Sequence, residues 1–469
     1  MFFPNSPMNP KRHSVPGVFT VGIATLAATT HALPLPGAAG VETPMPVGSC
    51  LLWAFVLRLA VVGLYFSFYP RTWLYTRAPE LATLACSLAH GRGLYSPFGG
   101  ATGPTAFLAP GYPALIALIF RLLGSYSFAA VLAILALQTL FGTLTVGAMM
   151  LTAHTLFGLR VARFAGLAGA LGGLLLFVPA IFWETSLSTL LLIGMMALAV
   201  WCAGQPTSWR WTLLGLWGGV ALLVNPALAL AMLGLLGWTA YQTRRSRPSA
   251  WRGPLLGLLL GCAVLAPWPI RNARVLHHFI PFRSNLGFEL WMGNQAGRDG
   301  DFDVSLFPIE NQREHAAYAA QGEVAYMSEK AALAQVYIRA HPAVFARTTA
   351  QRVLWFWSGA GGSTTAWLGV IQATATSLLG LSGLWVLARR HRAAAVLFLI
   401  PLLLFPLPYY VTHADLRFRL VLDPLLLVLA AVLAAHLVDR SRRSPRARRA
   451  GPLRWLWALK TPVVAPIGD

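Results

Sequence analysis

The chain has 469 residues, of which 57% are hydrophobic and only 11% are charged, whereas soluble domains carry about 25% charged residues. Together with a mean hydropathy of +0.61, this composition excludes an ordinary soluble globular protein and predicts an all-α polytopic membrane protein. The net charge of +21 raises nucleic acid as a partner, but the basic residues cluster in short linkers between apolar segments, which is typical of cytoplasmic loops and indicates no nucleic-acid binding.

The predicted elements begin after an N-terminal part, residues 1–47, that is rich in Pro, Gly and Ala and predicts a disordered or leader-like segment. Beyond it, apolar runs long enough to cross about 30 Å of hydrocarbon recur along the chain. The stretch 211–242 is broken at Asn225 and Pro226 and predicts a hairpin of two short helices. The predicted spans are 49–69, 127–157, 161–181, 185–203, 253–269, 364–388, 393–412 and 418–438.

Arginine-rich linkers orient these spans under the positive-inside rule. The predicted cytoplasmic segments are 204–210, 243–252, 389–392 and the basic tail 439–469, which we expect to contact anionic membrane lipids. The membrane domain, 48–438, then has two parts outside: a first outer loop, 70–108, and an outer subdomain, 270–350, which holds eight carboxylates. Between them the apolar segment 109–123 is short and contains Pro110 and Pro113, so we expect it to be interfacial or re-entrant.

Glu80 lies in the first outer loop and is the only carboxylate between Glu42 and Glu184. It is the second residue of a predicted helix, 79–90, whose apolar residues recur at helical spacing, so one face is expected to lie on the membrane surface. Glu80 is either a first-turn acid stabilised by the helix dipole or a functional carboxylate. The following sequence "GPTAFLAPGYP", residues 103–113, predicts a rigid bend that lines a cavity, with Tyr112 as a candidate substrate-binding residue.

Three further outward-facing segments carry charged side chains. "FWETSL" places Glu184 at the start of a helix, and "PWPIRNARV" places Arg271 and Asn272 where a span emerges; "HADLRFRLVLDP" contains Arg417 and Arg419. Arg271 is either a snorkelling interfacial residue or a phosphate ligand, and Glu184 either begins a helix or contributes to a site. Since the positive-inside rule does not account for arginines outside, these predict a phosphate-bearing ligand.

Other classes of site have no matching pattern in the sequence. There is no Walker loop, dinucleotide fingerprint, HExxH or GxSxG in a plausible context. The four cysteines are scattered without metal-site spacing. We therefore expect no cofactor; a divalent cation is compatible with phosphate chemistry, but no residue pattern indicates one.

In order, these segments resemble the bacterial GT-C glycosyltransferases of the family 39 type, relatives of protein O-mannosyltransferases and of aminoarabinose transferases that modify lipid A. The resemblance covers about 50–438 and rests on "LACSLAHGRGLYSPF", "GPTAFLAPGYPALIALIFRLLG", "ALLVNPALAL", "PWPIRNARVLHHFIPFRSNLGFELWMGNQAG" and "DLRFRLVLDPLLLVLAA". It implies a GT-C-type helix bundle in the bacterial inner membrane. Such an enzyme would transfer a sugar from a polyprenyl-phosphate donor to a lipid, glycan or protein acceptor outside the cytoplasm.

In such families an acid in the first outer loop acts as the catalytic base, and the residue here that matches that location is Glu80. Many relatives carry an Asp near the start of this loop, where this chain has "YTRAP" with Arg77. Either Glu80 acts alone or the chain is a degenerate, non-catalytic relative. Arg77, Arg271, Arg417 and Arg419 are the cations available for the leaving phosphate. A transporter or flippase of lipid-linked glycans is the alternative from another class.

Overall fold

The computed structural model describes residues 47–68, 73–246, 251–297, 300, 303–361 and 367–443. The predicted leader, apart from Val47, and the tail beyond residue 443 lie outside the described residues. Within them, seven helices are long and apolar enough to cross a membrane, or eight if a pair bent by 54° counts as one span. The protein is a helical multi-pass membrane protein, as its composition predicts.

The bundle consists of long apolar helices and one helical hairpin. In chain order they are α1 (Val47–Ser67), α5 (Phe128–Phe157), the bent pair α6 (Leu159–Leu171) and α7 (Gly173–Phe177), α8 (Thr185–Gly204), α9 (Ser208–Val224), α10 (Ala229–Ser246), α11 (Arg252–Leu265), α12 (Pro267–Val275), α17 (Trp367–Arg390), α18 (Arg392–Leu404) and α21 (Asp423–Arg443). The hairpin α9–α10 is interrupted where the sequence predicts, because Pro226 has no N–H to continue the helix. The Asn225 side chain accepts a hydrogen bond from the Ala227 N–H at 3.1 Å.

Shorter helices form the layer at one end of the bundle. They are α2 (Trp73–Thr76), α3 (Pro79–Ala89) and α4 (Gly111–Leu123) around the first outer loop; α13 (Leu286–Gly293), α14 (Gln312–Gln321), α15 (Glu323–Ala340) and α16 (Pro342–Ser358) in the outer subdomain; and α19 (Leu407–Val411) and α20 (Leu416–Leu420). The helices α14 and α15 are separated at Gly322, whose φ of +77° lies in the region that glycine tolerates.

The basic linkers meet at the opposite end. Arg160, at the start of α6, forms an ion pair with Asp439 near the end of α21. Arg390, at the end of α17, lies with its Nη2 2.6 Å from the His436 Nδ1. On α21 (Asp423–Arg443) His436 and Asp439 lie 13 and 16 residues from its N-terminus, so these contacts are about 20–24 Å along the helix from that end. The arginine-bearing segments around 160, 390 and 439 are therefore gathered at one end of the bundle, opposite the layer of short helices.

One expectation for the first outer loop is wrong. The apolar face of α3 does not lie on a membrane surface, because Leu81, Leu84 and Ala85 are at most 1% exposed inside the protein. The helix that covers this face is α4, which packs directly on α3. With 13 residues, or about 20 Å, α4 is shorter than a bilayer core. Its Ile116 and Phe120 are buried in the protein core, whereas Leu118 and Leu122 on the other face are exposed.

Candidate active site

A cavity of about 840 Å³ opens between the outer layer and the bundle. It is walled by the first outer loop, the outer subdomain and the ends of α1, α7, α8 and α20. Four of the predicted site residues line it: Arg77, Glu80, Glu184 and Arg417. The other charged or titratable side chains that line it are Tyr65, Arg283, Glu289, Glu310, Tyr409, His413 and Asp415.

Glu80 enters the cavity from the start of α3. Pro79 begins this helix, since its fixed φ suits the first helical position and its missing N–H costs nothing there. Glu80 is 6% exposed, and this burial raises the pKa of its carboxyl to about 7, against smaller opposing effects of a backbone hydrogen bond, Arg417 and Arg283. The negative charge of Glu289 raises it further. Near neutral pH, Glu80 therefore exchanges between a proton acceptor and a proton donor.

The cavity contains a cation that sequence reasoning missed, Arg283. It lies just before α13 in the outer subdomain, and its Nε donates a hydrogen bond to the Phe107 carbonyl at 3.1 Å. Phe107 and the neighbouring Leu108 also line the cavity, so the prediction that the bend 103–113 would do so is confirmed. Through this hydrogen bond, the bend fixes where the guanidinium lies.

Arg417, the second cation in the cavity, is held by aromatic faces. Its guanidinium carbon lies 4.4 Å from the ring centre of Trp183 and 4.9 Å from that of Phe418. Asp415 begins α20 by accepting the Arg417 N–H at 2.8 Å, and its other oxygen is 4.0 Å from the Arg417 Nε. Stacking restricts the side chain while leaving the edges of a planar guanidinium directed outward, which suits recognition of an oxyanion.

A second carboxylate, Glu289, shares the cavity with Glu80. Its Oε1 accepts a hydrogen bond from the Asn285 amide at 2.8 Å, and its Oε2 lies 3.3 Å from the His413 Nδ1. Burial raises the pKa of Glu289. Burial, with Arg417 and Arg352 nearby, lowers the pKa of His413 to about 3, so the imidazole is neutral at physiological pH.

The close approach of α13 to the chain after α19 makes this pairing possible. A Cβ on Gly293 would lie 1.8 Å from the Thr412 carbonyl oxygen, so no larger residue fits. This contact brings the 412–413 segment against the helix that carries Glu289.

Glu184 and Arg77 reach the cavity from two different helix boundaries. Glu184 immediately precedes α8, but its side chain makes no capping hydrogen bond to that helix. Arg77, between α2 and α3, is exposed. Capping therefore does not account for the position of Glu184.

The structure does not bring Arg271 and Asn272 to the cavity lining. Arg271 donates from Nη1 to the Thr105 carbonyl at 2.7 Å and from Nη2 to the Leu94 carbonyl at 3.1 Å. Asn272 is fully buried and donates to the Ile280 carbonyl at 2.9 Å. Through these contacts, α12 is attached to the first outer loop and to the chain that follows it.

Arg419 and Tyr112 are also buried and do not line the cavity. Arg419 is fully buried, forms an ion pair with Asp423 and donates to the Ala373 carbonyl at 2.8 Å. It joins α20, α21 and α17. Tyr112, on α4, is 2% exposed, and its hydroxyl has no hydrogen-bond partner among the described residues.

A signal in the sequence could have found Arg283 and Glu289. Both stand in "FRSNLGFEL", where charges interrupt an apolar run in an outward-facing segment. The reasoning that selected Arg417 applies equally to Arg283. Among the residues that the structure describes, no group of three or more His, Cys, Asp or Glu side chains is placed to hold a metal ion.

Comparison with known proteins finds no matching family model and no matching curated sequence. Among solved structures, the chain is similar to the Archaeoglobus fulgidus oligosaccharyltransferase in complex with Zn and sulfate, at 13% identity and a TM-score of 0.49, covering 85% of this chain. It spans only 50% of that protein's length.

The chain is also similar to ArnT from Cupriavidus metallidurans. The apo structure matches at 16% identity and a TM-score of 0.34 over 82% of this chain and 79% of ArnT. The structure bound to undecaprenyl phosphate matches at 16% identity and a TM-score of 0.38, over 85% and 80%. ArnT is an aminoarabinose transferase, one of the kinds of protein that the sequence resemblance names.

Proposed function

We propose that this protein is a membrane glycosyltransferase that transfers a sugar from a polyprenyl-phosphate donor to an acceptor hydroxyl. The single observation that carries the proposal is one cavity that combines the buried carboxyl of Glu80 with the guanidinium groups of Arg283 and Arg417. It lies at the end of the bundle opposite the basic linkers, which under the positive-inside rule supports a site outside the cytoplasm. We infer a bacterial inner-membrane location on the same grounds and from the sequence resemblance.

The walls of the cavity suit a ligand with an apolar chain. Tyr65, Phe177 and Ile181 line its bundle side. Phe177 is on α7, beyond the 54° bend that ends the straight course of α6, and is 48% exposed on the bundle surface. The cavity lining thus continues toward the surface that lipid would cover, as a lipid-linked donor requires.

The proposed mechanism assigns the proton and the phosphate to different side chains. Deprotonated Glu80 accepts the proton of the acceptor hydroxyl as that oxygen bonds to C1 of the sugar. The C1–O bond to the lipid phosphate breaks, and its electron pair leaves with the phosphate. Arg283 and Arg417 stabilise the growing negative charge, so no general acid is needed. A single displacement with one base inverts the anomeric configuration.

Reconstitution tests this proposal directly. The protein in liposomes would be given undecaprenyl-phosphate-linked, labelled sugars and a bacterial envelope fraction as acceptor. We expect label to move to the acceptor with release of one undecaprenyl phosphate per sugar. If the donor instead crosses the bilayer unconsumed, the protein is a carrier and the proposal is wrong.

The rate of transfer is expected to depend on the protonation of Glu80. Because the base must be ionised and burial raises its pKa to about 7, kcat/KM should rise with pH through a limb near pH 7 and be low at pH 5. Initial rates in the reconstituted system between pH 5 and 9 would measure this limb.

Glu289→Gln provides the check on this assignment. Removing a neighbouring negative charge lowers the pKa of Glu80, so the limb should move to lower pH. A rate that is constant from pH 5 to 8 would contradict the role of Glu80 as the base.

A further inference from the structure

The base and one of the cations that line the cavity belong to different parts of the chain. Glu80 is on the first outer loop, whereas Arg283 is on the outer subdomain. The two parts meet at the tripeptide Thr105–Ala106–Phe107, which we call the joint. The Arg283 Nε donates to the Phe107 carbonyl at 3.1 Å, and the Ser284 N–H donates to the Ala106 carbonyl at 3.0 Å.

Glu323 holds the joint from the other side. It is the first residue of α15 and is 4% exposed. Its Oε1 accepts the Ala106 N–H at 2.6 Å, and its Oε2 accepts the hydroxyl of Thr105 and, at 2.7 Å, that of Tyr318. The hydroxyl oxygen of Thr105, Oγ1, in turn accepts a hydrogen bond from the Phe107 N–H at 2.9 Å. A buried carboxylate thus determines the path of the three residues that carry the acceptor for Arg283.

The chemistry at Glu323 requires a group that only accepts hydrogen bonds. Three donors converge on its two oxygens, and an ionised carboxylate is the side chain that satisfies all three. A glutamine of the same shape would direct an NH₂ donor at one of them, leaving a donor without an acceptor in a buried place. The joint would then move, and the Phe107 carbonyl with it.

Resting on the proposed function, we propose that Glu323 is a positioning residue, which sets the place of Arg283 relative to Glu80 by fixing the joint to the outer subdomain. The loop keeps an attachment outside the joint, since the Arg271 Nη2 donates to the Leu94 carbonyl at 3.1 Å, in addition to the Nη1 bond to the Thr105 carbonyl of the joint. Losing the Glu323 contacts should therefore displace the joint without detaching the loop.

The electrostatic consequence falls on Glu80. The groups that act on its carboxyl from neighbouring elements are Arg283 before α13, Glu289 on α13 and Arg417 on α20. The other titratable groups that line the cavity are Tyr65, Arg77, Glu184, Glu310, Tyr409, His413 and Asp415. Arg283 hydrogen-bonds to the joint, so a displaced joint moves this cation away from Glu80.

The experiment measures protonation of Glu80 without sugar transfer. The full-length protein in liposomes would be treated with dicyclohexylcarbodiimide, which modifies protonated buried carboxyls, and labelling of the peptide containing Glu80 would be followed against pH by mass spectrometry. In Glu323→Gln we expect the pH of half-labelling to rise by about one unit, because a cation that favoured the carboxylate has moved away. Arg283→Gln should give a rise of similar size.

Glu329→Gln is the matched control, since Glu329 is exposed on the same helix and bonds only to Gln321 among the hydrogen bonds described for it. It should leave the half-labelling pH unchanged. If Glu323→Gln does not accumulate as folded protein, Thr105→Val removes one of the three donors and should give a smaller rise.

The outcomes separate this inference from the proposed function. A folded Glu323→Gln protein with an unchanged half-labelling pH overturns the positioning role, whatever its activity. If Glu323→Gln raises the half-labelling pH while the wild-type protein transfers no sugar, the coupling is supported and the transferase proposal is rejected. In an active enzyme the pH–rate limb should move with the labelling curve, and kcat should fall about tenfold with the donor KM unchanged, because Arg283 acts on the leaving charge.

Discussion

Glu80→Gln is expected to lower kcat for sugar transfer by a factor of about 10²–10⁴, the usual contribution of a positioned general base. Glutamine keeps the shape of the side chain but cannot accept the acceptor's proton. The substitution also removes a buried ionisable group whose pKa burial raises, so the folded protein should be no less stable. Turnover in proteoliposomes at saturating donor, with thermal unfolding in detergent, would measure both effects.

The control for Glu80→Gln is Glu329→Gln, which changes a carboxyl on the exposed face of α15 and should retain full activity. Glu289→Gln distinguishes the buried carboxyl of Glu80 from the partly exposed carboxyl of Glu289: if it abolishes transfer and Glu80→Gln does not, Glu289 is the base. Equal activity of all three variants and the wild type would show that neither carboxyl takes the proton. This comparison also decides whether the first outer loop, with "YTRAP" before Glu80, forms a working site.

Arg419→Met is expected to destabilise the protein by about 3–5 kcal/mol, the range for removing one partner of a buried ion pair. Arg419 is 0% exposed and forms an ion pair with Asp423. Without it, the Asp423 carboxylate remains buried and uncompensated, and the Ser377 hydroxyl and Ala373 carbonyl lose a donor. Thermal unfolding and the yield of folded protein would report the loss.

Arg417→Met is the matched comparison, two positions away in the same short helix. It removes a guanidinium that lies over Trp183 in the cavity, so we expect a folded protein with impaired transfer. The double variant Arg419→Met with Asp423→Leu should recover much of the lost stability, since an apolar pair of similar volume replaces the buried charges. A stable Arg419→Met protein that no longer binds the donor would instead establish the phosphate role that the sequence suggests for Arg419.

The membrane spans and the breaks in the helices were predictable from the sequence because their causes are local. An apolar run of given length must cross or leave a hydrocarbon layer of fixed thickness, and Pro226 interrupts a helix wherever it stands. The bend at 103–113 was predictable for the same reason, since its prolines and glycines prevent regular structure locally. Glu80 was found as the candidate base because it is the only carboxylate between Glu42 and Glu184 and because its location matches the catalytic acid of the family that the chain resembles.

What the sequence by itself determined is therefore the helical membrane architecture, the grouping of basic linkers and Glu80 as a candidate. The tertiary structure alone decided which charges share the cavity. Arg417 and Arg419 differ by two positions, and residues two apart on a helix point about 200° from each other, so one faces Trp183 and the other is buried against Asp423. Arg271 and Arg283 also differ: Arg271 bonds to the first outer loop, whereas the chain after α12 carries Arg283 into the cavity lining. Side-chain direction depends on what packs around each helix, and that is fixed only when distant segments meet.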